Sequence, residues 1–330
     1  MAFRNNYSMI KNSIMRMDKS KGYNMYADHS VIRNDDGSIP LEYEGNTLLI
    51  KVDPKLHTLP FCLAALYNDV DLIRYLLECD SYIKNGSPIE KTGSPTEKTG
   101  SPTEKTGSPT EKWNIVDLIE SDFILVNTNS SFEWYDSFTE IDEDPYLMIG
   151  ALSLASFFGS AKSLELLLSC GAKPTVEQIE GRSAIHWACL KNNVDCLKHL
   201  IAYEVDVNVC DEDDRTPLHY TRTAEIAELL IKAGANVNHC CEYGTPLHTQ
   251  IKGFSLCGKG NIQDWIDSNE QPKIIKLFMN AGADKMMGDA DGYKPYDDAV
   301  ERLMSHVGSI ITDESVKGLY ESVMIMTDSS

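Results

Sequence analysis

Five stretches of the 330-residue chain can be laid over one another at a common spacing. They are LPFCLAALYNDVDLIRYLLECDS from Leu59, GALSLASFFGSAKSLELLLSCGA from Gly150, SAIHWACLKNNVDCLKHLIAYEV from Ser183, TPLHYTRTAEIAELLIKAGANVN from Thr216 and TPLHTQI from Thr245. Gly150 to Ser183 is 33 residues, Ser183 to Thr216 is 33 again, and Thr216 to Thr245 is 29. Inside the copies, Leu59 to Leu72, Gly150 to Ser163 and Ser183 to Cys196 are each 13. A unit this short cannot enclose a core of its own, so it must bury its apolar face against the next unit. Each full copy reads as two short helices. From Ser183, the first is marked by Ile185, Trp187, Ala188 and Cys189, and the second by Cys196, Leu197, Leu200 and Ile201 at helical spacing. Neither helix is long enough to stand alone in water.

The 33-residue period, the TPLH openings at Thr216–His219 and Thr245–His248 and the GANVN closing at Gly234–Asn238 resemble ankyrin repeats. Ala281–Asp284 (AGAD, with Gly282) resembles the close of another copy, and Asp291–Asp297 (DGYKPYD) the opening of a degenerate last one. The resemblance implies an all-α solenoid of stacked helix-turn-helix units with short β-hairpin loops. It implies structural roles for Thr216, Pro217, His219, Thr245, Pro246, His248, His186, Gly234 and Gly282. In the family this histidine hydrogen-bonds the hairpin and ties neighbouring repeats together. Asn208 and Asn238, each eight residues after a leucine, stand where the family has hydroxylation sites, or merely order their hairpins.

Departures from the period locate irregular segments. Thr216 to Glu225 is 9 residues against 12 from Ser183 to Asp195, so the first helix of that copy should be stunted. Thr245 to Ile274 is 29 where 13 is expected, an insertion of about 16 residues near Lys252–Glu270. From Gly86 to Lys112 the chain repeats GSPTEKT-like units, whose Gly and Ser-Pro steps break helix and strand alike. That stretch reads as a disordered linker, with Ser87, Ser94, Ser101 and Ser108 as candidate phosphorylation sites. The expected organisation is an extension or cap at 1–58, a repeat at 59–85, the linker at 86–112, a segment at 113–147, repeats at 148–300 and a helical tail at 301–330.

Charge narrows the function. The chain carries 50 acidic and 30 basic residues, a formal net charge of −20, which argues against tracking nucleic-acid phosphates or an anionic membrane. Residues 113–147 hold nine acids and no lysine or arginine, among aromatics that include Trp134, Tyr135 and Phe138. This segment is a ruined repeat or a separate excursion. Its aromatics either pack on the flanking repeats or dock on a basic-rimmed groove. Asp211, Glu212, Asp213 and Asp214 fall on one hairpin tip, as a solvated turn or as a contact for a basic partner. Asp214 stands where the family has glycine.

Little points to chemistry. Nine scattered cysteines without a CxxC pair fit reduced thiols in a cytoplasmic setting. The Cys240, Cys241, His239, His248 and Cys257 cluster lacks zinc spacing, and no nucleophile elbow or phosphate loop occurs. The expectation is a monomeric, non-enzymatic protein-interaction scaffold with no cofactor, no metal, no nucleic acid and no membrane insertion. The alternative is a host-directed effector or adaptor, acting in a host cytosol, whose solenoid recruits a target while non-repeat segments supply a second activity. Degenerate repeats with irregular inserts resemble the ankyrin proteins of intracellular bacteria and large DNA viruses.

Overall fold

Five helices share one pattern of burial. Leu72, Ile73 and Leu76 are buried on one, Ser163, Leu164 and Leu167 on the next, then Cys196, Leu197 and Leu200, then Ile226, Ala227 and Leu230, then Ile274, Ile275 and Phe278. Spacing of i, i+1 and i+4 puts each trio on one stripe of an α-helix, and that stripe faces the core. These are the second helices of successive repeats. The computed structural model describes residues 6–16, 31, 33–34, 38–43, 46–51, 59–78, 124–127, 146–174, 181–252, 270–306, 321 and 323–327.

In chain order the elements are α1 (Asn6–Arg16), β1 (Ile39–Tyr43), β2 (Asn46–Lys51), α2 (Leu59–Leu66), α3 (Val70–Leu77), β3 (Ile124–Asn127) and β4 (Tyr146–Ile149). They continue with α4 (Ala151–Phe158), α5 (Ala161–Ser169), α6 (Ala184–Leu190) and α7 (Val194–Ala202). A 3-10 helix (Pro217–Tyr220) follows, then α8 (Ala224–Lys232), α9 (Pro246–Lys252), α10 (Glu270–Asn280) and α11 (Pro295–His306). The pairs α2/α3, α4/α5, α6/α7, 3-10/α8 and α9/α10 stack side by side. Small residues allow the close approach: Ala64, Ala65, Ala155 and Ala188 are all fully buried.

The stack is an all-α solenoid, as the repeat implied. The shortened copy does have a stunted first helix, since only one 3-10 turn fits between Thr216 and Thr221. On the other side of the irregular segments the packing resumes. Helix α2 lies against α4 although β3, β4 and the low-complexity stretch intervene in sequence. Ser160 Oγ donates to Leu66 O at 3.1 Å, and Ser163 N donates to Asn68 Oδ1 at 3.0 Å across that junction. Likewise α9 and α10 pair across the second insertion, where Gln271 Nε2 donates to Gln250 O at 2.6 Å.

One element lies outside the all-α expectation. Strands β1 to β4 form an antiparallel four-stranded sheet in the order β1-β2-β3-β4. Its two hairpins come from different places: β1–β2 precedes α2, and β3–β4 precedes α4. They are the lead-in hairpins of two successive repeats, lengthened until they pair with each other, Leu49 opposite Asn127 and Lys51 opposite Leu125. The extension expected at 1–58 therefore holds two strands, β1 and β2. Thr47–Ile50 has neither the Pro nor the His that starts the helix in TPLH, and its β-branched Thr and Ile suit a pleated ladder. Strand β1 is an edge, and it carries Pro40, whose missing N–H is tolerated there.

Helix α1 closes the first end of the stack. Ile10 and Ile14 are buried, Asn6 Nδ2 donates to Pro40 O at 2.9 Å, and the Tyr7 and Tyr67 rings stack at 3.9 Å. Asp69 joins two jobs. One oxygen caps α3 by accepting from Leu72 N, and the other accepts from Tyr7 and Lys11 of α1. Burial alone would raise its pKa, but the hydrogen bonds from Lys11 and Tyr7 outweigh that and hold the carboxyl below its ordinary value. At the far end, helical residues 323–327 return to the last repeat, with Val323 and Met326 buried and Lys285 Nζ donating to Met326 O.

Candidate functional site

The hairpins between repeats carry the residues the sequence singled out. Their base is set by histidines. His186 Nδ1 accepts from Ser183 N, His219 Nδ1 from Thr216 N, and His248 Nδ1 from Thr245 N, at 3.2, 3.0 and 2.9 Å. Because Nδ1 accepts, the ring proton is on Nε2, which donates to Arg215 O, Gly244 O and Tyr293 O respectively. Each histidine thus starts its own helix and clamps the next hairpin. None is free to hold a metal in that state. Burial pushes the His186 and His219 pKa down to about 4, so both are neutral at pH 7.

A second structural ladder runs along the loops. Asn208 Nδ2 donates to Gly234 O while its Oδ1 accepts from Asn236 N; Asn238 does the same to Gly282 O and Asp284 N. Both asparagines are therefore engaged in ordering the following loop. The next equivalent position is Met286, which is exposed, and the ladder stops there. Gly234 and Gly282 sit at φ +93° and +88° at the ends of α8 and α10. Left-handed backbone of this kind favours glycine.

The acidic hairpin divides into two parts. Asp211 is buried, contrary to its expected place among the contacts for a partner. Its Oδ1 accepts from Asp213 N and Arg215 N, and its Oδ2 accepts from the Tyr220 hydroxyl. Arg182 and Arg215 flank the same carboxylate at 3.9 and 3.4 Å. The turn geometry forces this: an Asp at the first position bonds its own loop's N–H groups and so faces inward. Tyr220 is sandwiched, with Arg182 5.1 Å and Arg215 5.3 Å from its ring centre. The alternation continues to Trp187 beside Arg182 and Tyr243 beside Arg215. Sequence reasoning missed Arg182 and Arg215 as a pair. The signal was present, since they are 33 residues apart, as are Trp187 and Tyr220.

Glu212, Asp213 and Asp214 are exposed at the tip above that buried base. Asp214 lies near Cys210 and near His239 of the next hairpin, their ligand atoms all within 4.8 Å of one another. The cysteine-rich cluster read from the sequence is dispersed instead. Cys241 Sγ turns to Gly244 O and Cys240 Sγ to Gly288 O, while His248 is committed to its helix start. The seven described cysteines are all free thiols. Trp134, Tyr135, Phe138, Cys257, Ser87, Ser94, Ser101 and Ser108 lie outside the described residues. No helix among the described residues is long and apolar enough to cross a membrane.

Compared with known proteins, the chain matches the family model "Ankyrin repeats (3 copies)" over residues 152–241. Residues 152–241 are ankyrin repeats. An ankyrin repeat protein of Fowlpox virus is 36% identical over 31% of this chain and 15% of the viral protein. The human ankyrin repeat and SOCS box protein 16 is 34% identical over 29% of this chain and 22% of its own length. This chain thus spans under a quarter of either relative. Among solved structures, an ankyrin repeat domain from Acinetobacter baumannii superposes with a TM-score of 0.50 at 18% identity, covering 82% of this chain and 97% of that one. That likeness concerns the fold alone. Ankyrin repeats are in general protein-interaction modules.

Proposed function

We propose that this chain is a non-enzymatic interaction module that binds a protein partner through its concave face and hairpin tips, and that the partner's contact surface is basic. One observation carries the reading: exposed Glu212, Asp213 and Asp214 crown a turn whose base is locked by buried Asp211, Arg182 and Arg215, with Asp213 itself paired to Arg215. A rigid base lowers the ordering cost of binding, and acidic tips steer a basic surface toward it. The charge of −20 supports the same sign of partner. The proposed compartment is the cytoplasm, which agrees with free thiols.

Charge reversal tests this. Glu212→Lys should strongly weaken capture of the partner isolated with the parent chain and leave the unfolding midpoint nearly unchanged, whereas Asp213 is kept because it pairs with buried Arg215. Retained binding would sink the acidic-tip reading. Asp211→Ala makes the contrast, because it removes the buried carboxylate between two guanidiniums and leaves Arg182 without it. It should cost about 3–5 kcal/mol of stability in urea unfolding.

The likeness to a fowlpox virus protein favours a second reading, a host-directed adaptor whose repeats recruit the target while residues 113–147 supply another contact. Replacing Trp134, Tyr135 and Phe138 by alanine separates the two while leaving β3 and β4 in place. A partner kept by that variant places binding on the repeats.

A further inference from the structure

The tip at Asp214 has a peculiarity that partner binding does not explain. The corresponding turns of the flanking hairpins use Gly181, Gly244 and Gly292, at φ +65°, +102° and +82°. Asp214 holds φ +60° with a Cβ in place, a conformation costing an L-residue about 1–2 kcal/mol. Its carboxylate is thereby presented to two other donors. His239 Nε2 is 3.5 Å from Cys210 Sγ and 3.7 Å from Asp214 Oδ1.

We propose that Cys210, Asp214 and His239 form a binding site for a soft divalent cation of the zinc type, bridging two successive hairpins. The distances are the first argument. Zinc bonds of about 2.0–2.3 Å to N, O and S place tetrahedral ligand atoms roughly 3.3–3.7 Å apart, which matches both distances from His239, and all three ligand atoms lie within 4.8 Å of one another. The donor set is the second. One thiolate and one carboxylate neutralise a dication, and imidazole suits zinc. Third, the His239 ring is already steadied by an edge-on contact with His219, the centroids 6.0 Å apart. The fourth position falls to water, because neighbouring Cys240 turns to Gly288 O.

Binding has two internal costs. His239 Nε2 gives up its hydrogen bond to Asp214 O, at 2.9 Å, and its proton shifts to Nδ1. The Cys210 thiol loses its proton to solvent, so one proton is released per ion and affinity rises with pH. Burial, aided by the neighbouring Asp214 carboxylate, pushes that thiol up to about 11, which makes the metal-free site a protonated one at neutral pH.

Cobalt(II) titration of the full-length reduced chain is the test. A near-ultraviolet thiolate-to-cobalt band should saturate at one equivalent and be bleached by zinc. Cys210→Ser should remove it. Asp214→Gly should weaken cobalt binding by roughly tenfold or more. The same variant should melt no lower than the parent without metal, because glycine relieves the backbone. No band with the parent chain would overturn the site, and so would a band that persists unchanged in Cys210→Ser or in Asp214→Gly.

Discussion

Single residues decide how well each repeat obeys its own pattern. Three of the four helices α5, α7, α8 and α10 end on a left-handed glycine: Gly171, Gly234 and Gly282. The fourth ends on Glu204, exposed, at φ +56°. Glu204→Gly should therefore stabilise the chain by about 1 kcal/mol in denaturant unfolding, a sign opposite to most substitutions. The clamping histidines give a pH dependence whose sign follows from their state. The folded pKa of His186 and of His219, about 4, lies below the ordinary 6.5, so on acidification the unfolded chain binds protons first. Their stabilisation is complete above about pH 6.5 and is lost as pH falls through about 4. A urea midpoint that drops between pH 7 and pH 4.5, with a shallower drop in His219→Gln, is the expected result. These roles were legible because TPLH is a local motif. Asp211 was not, because composition shows four acids in a row and cannot tell which one the turn folds inward.

Elements tell a similar story about what periodicity can reveal. Helix pairs were readable from spacing alone, since each carries the same i, i+1, i+4 stripe through the core. The stunted 3-10 helix followed from three missing residues. The sheet was not readable, for two physical reasons. Its strands are four to six residues long, too short to show alternation against background. Its two hairpins are also separated in sequence by a whole helix pair and the low-complexity stretch. The junction at α2 and α4 leads to a clear expectation. Removing residues 86–112 shortens a connection whose ends are already fixed by packing, and loop closure changes only with the logarithm of length. The deletion should move the unfolding free energy upward by about 1 kcal/mol or less, with the helical circular dichroism signal per residue rising. A collapse of the fold would mean that the stretch has structural contacts of its own.

At the scale of the whole molecule, the described stack is a line of nearest neighbours, interrupted in sequence between α3 and α4. Contacts in the stack run from each helix pair to the next, whereas Lys51 finds its partner at Leu125, 74 residues later. Solenoids of this kind nucleate from local contacts and propagate. Long-range strand pairing waits until the intervening chain has been brought together. The order of assembly follows. The docking of α2 on α4, where the Ser160–Leu66 bond spans 94 residues, and the pairing of β2 with β3 both wait on closing the same intervening stretch, so sheet and junction form together, after the local helix pairs. Amide hydrogens of Leu49–Lys51 and Leu125–Asn127 should exchange by local openings well below the global free energy, while those of α6 and α7 should exchange with the whole. The lengthened hairpins thus act as a latch: their ladder closes as the two sides of the interruption are brought together.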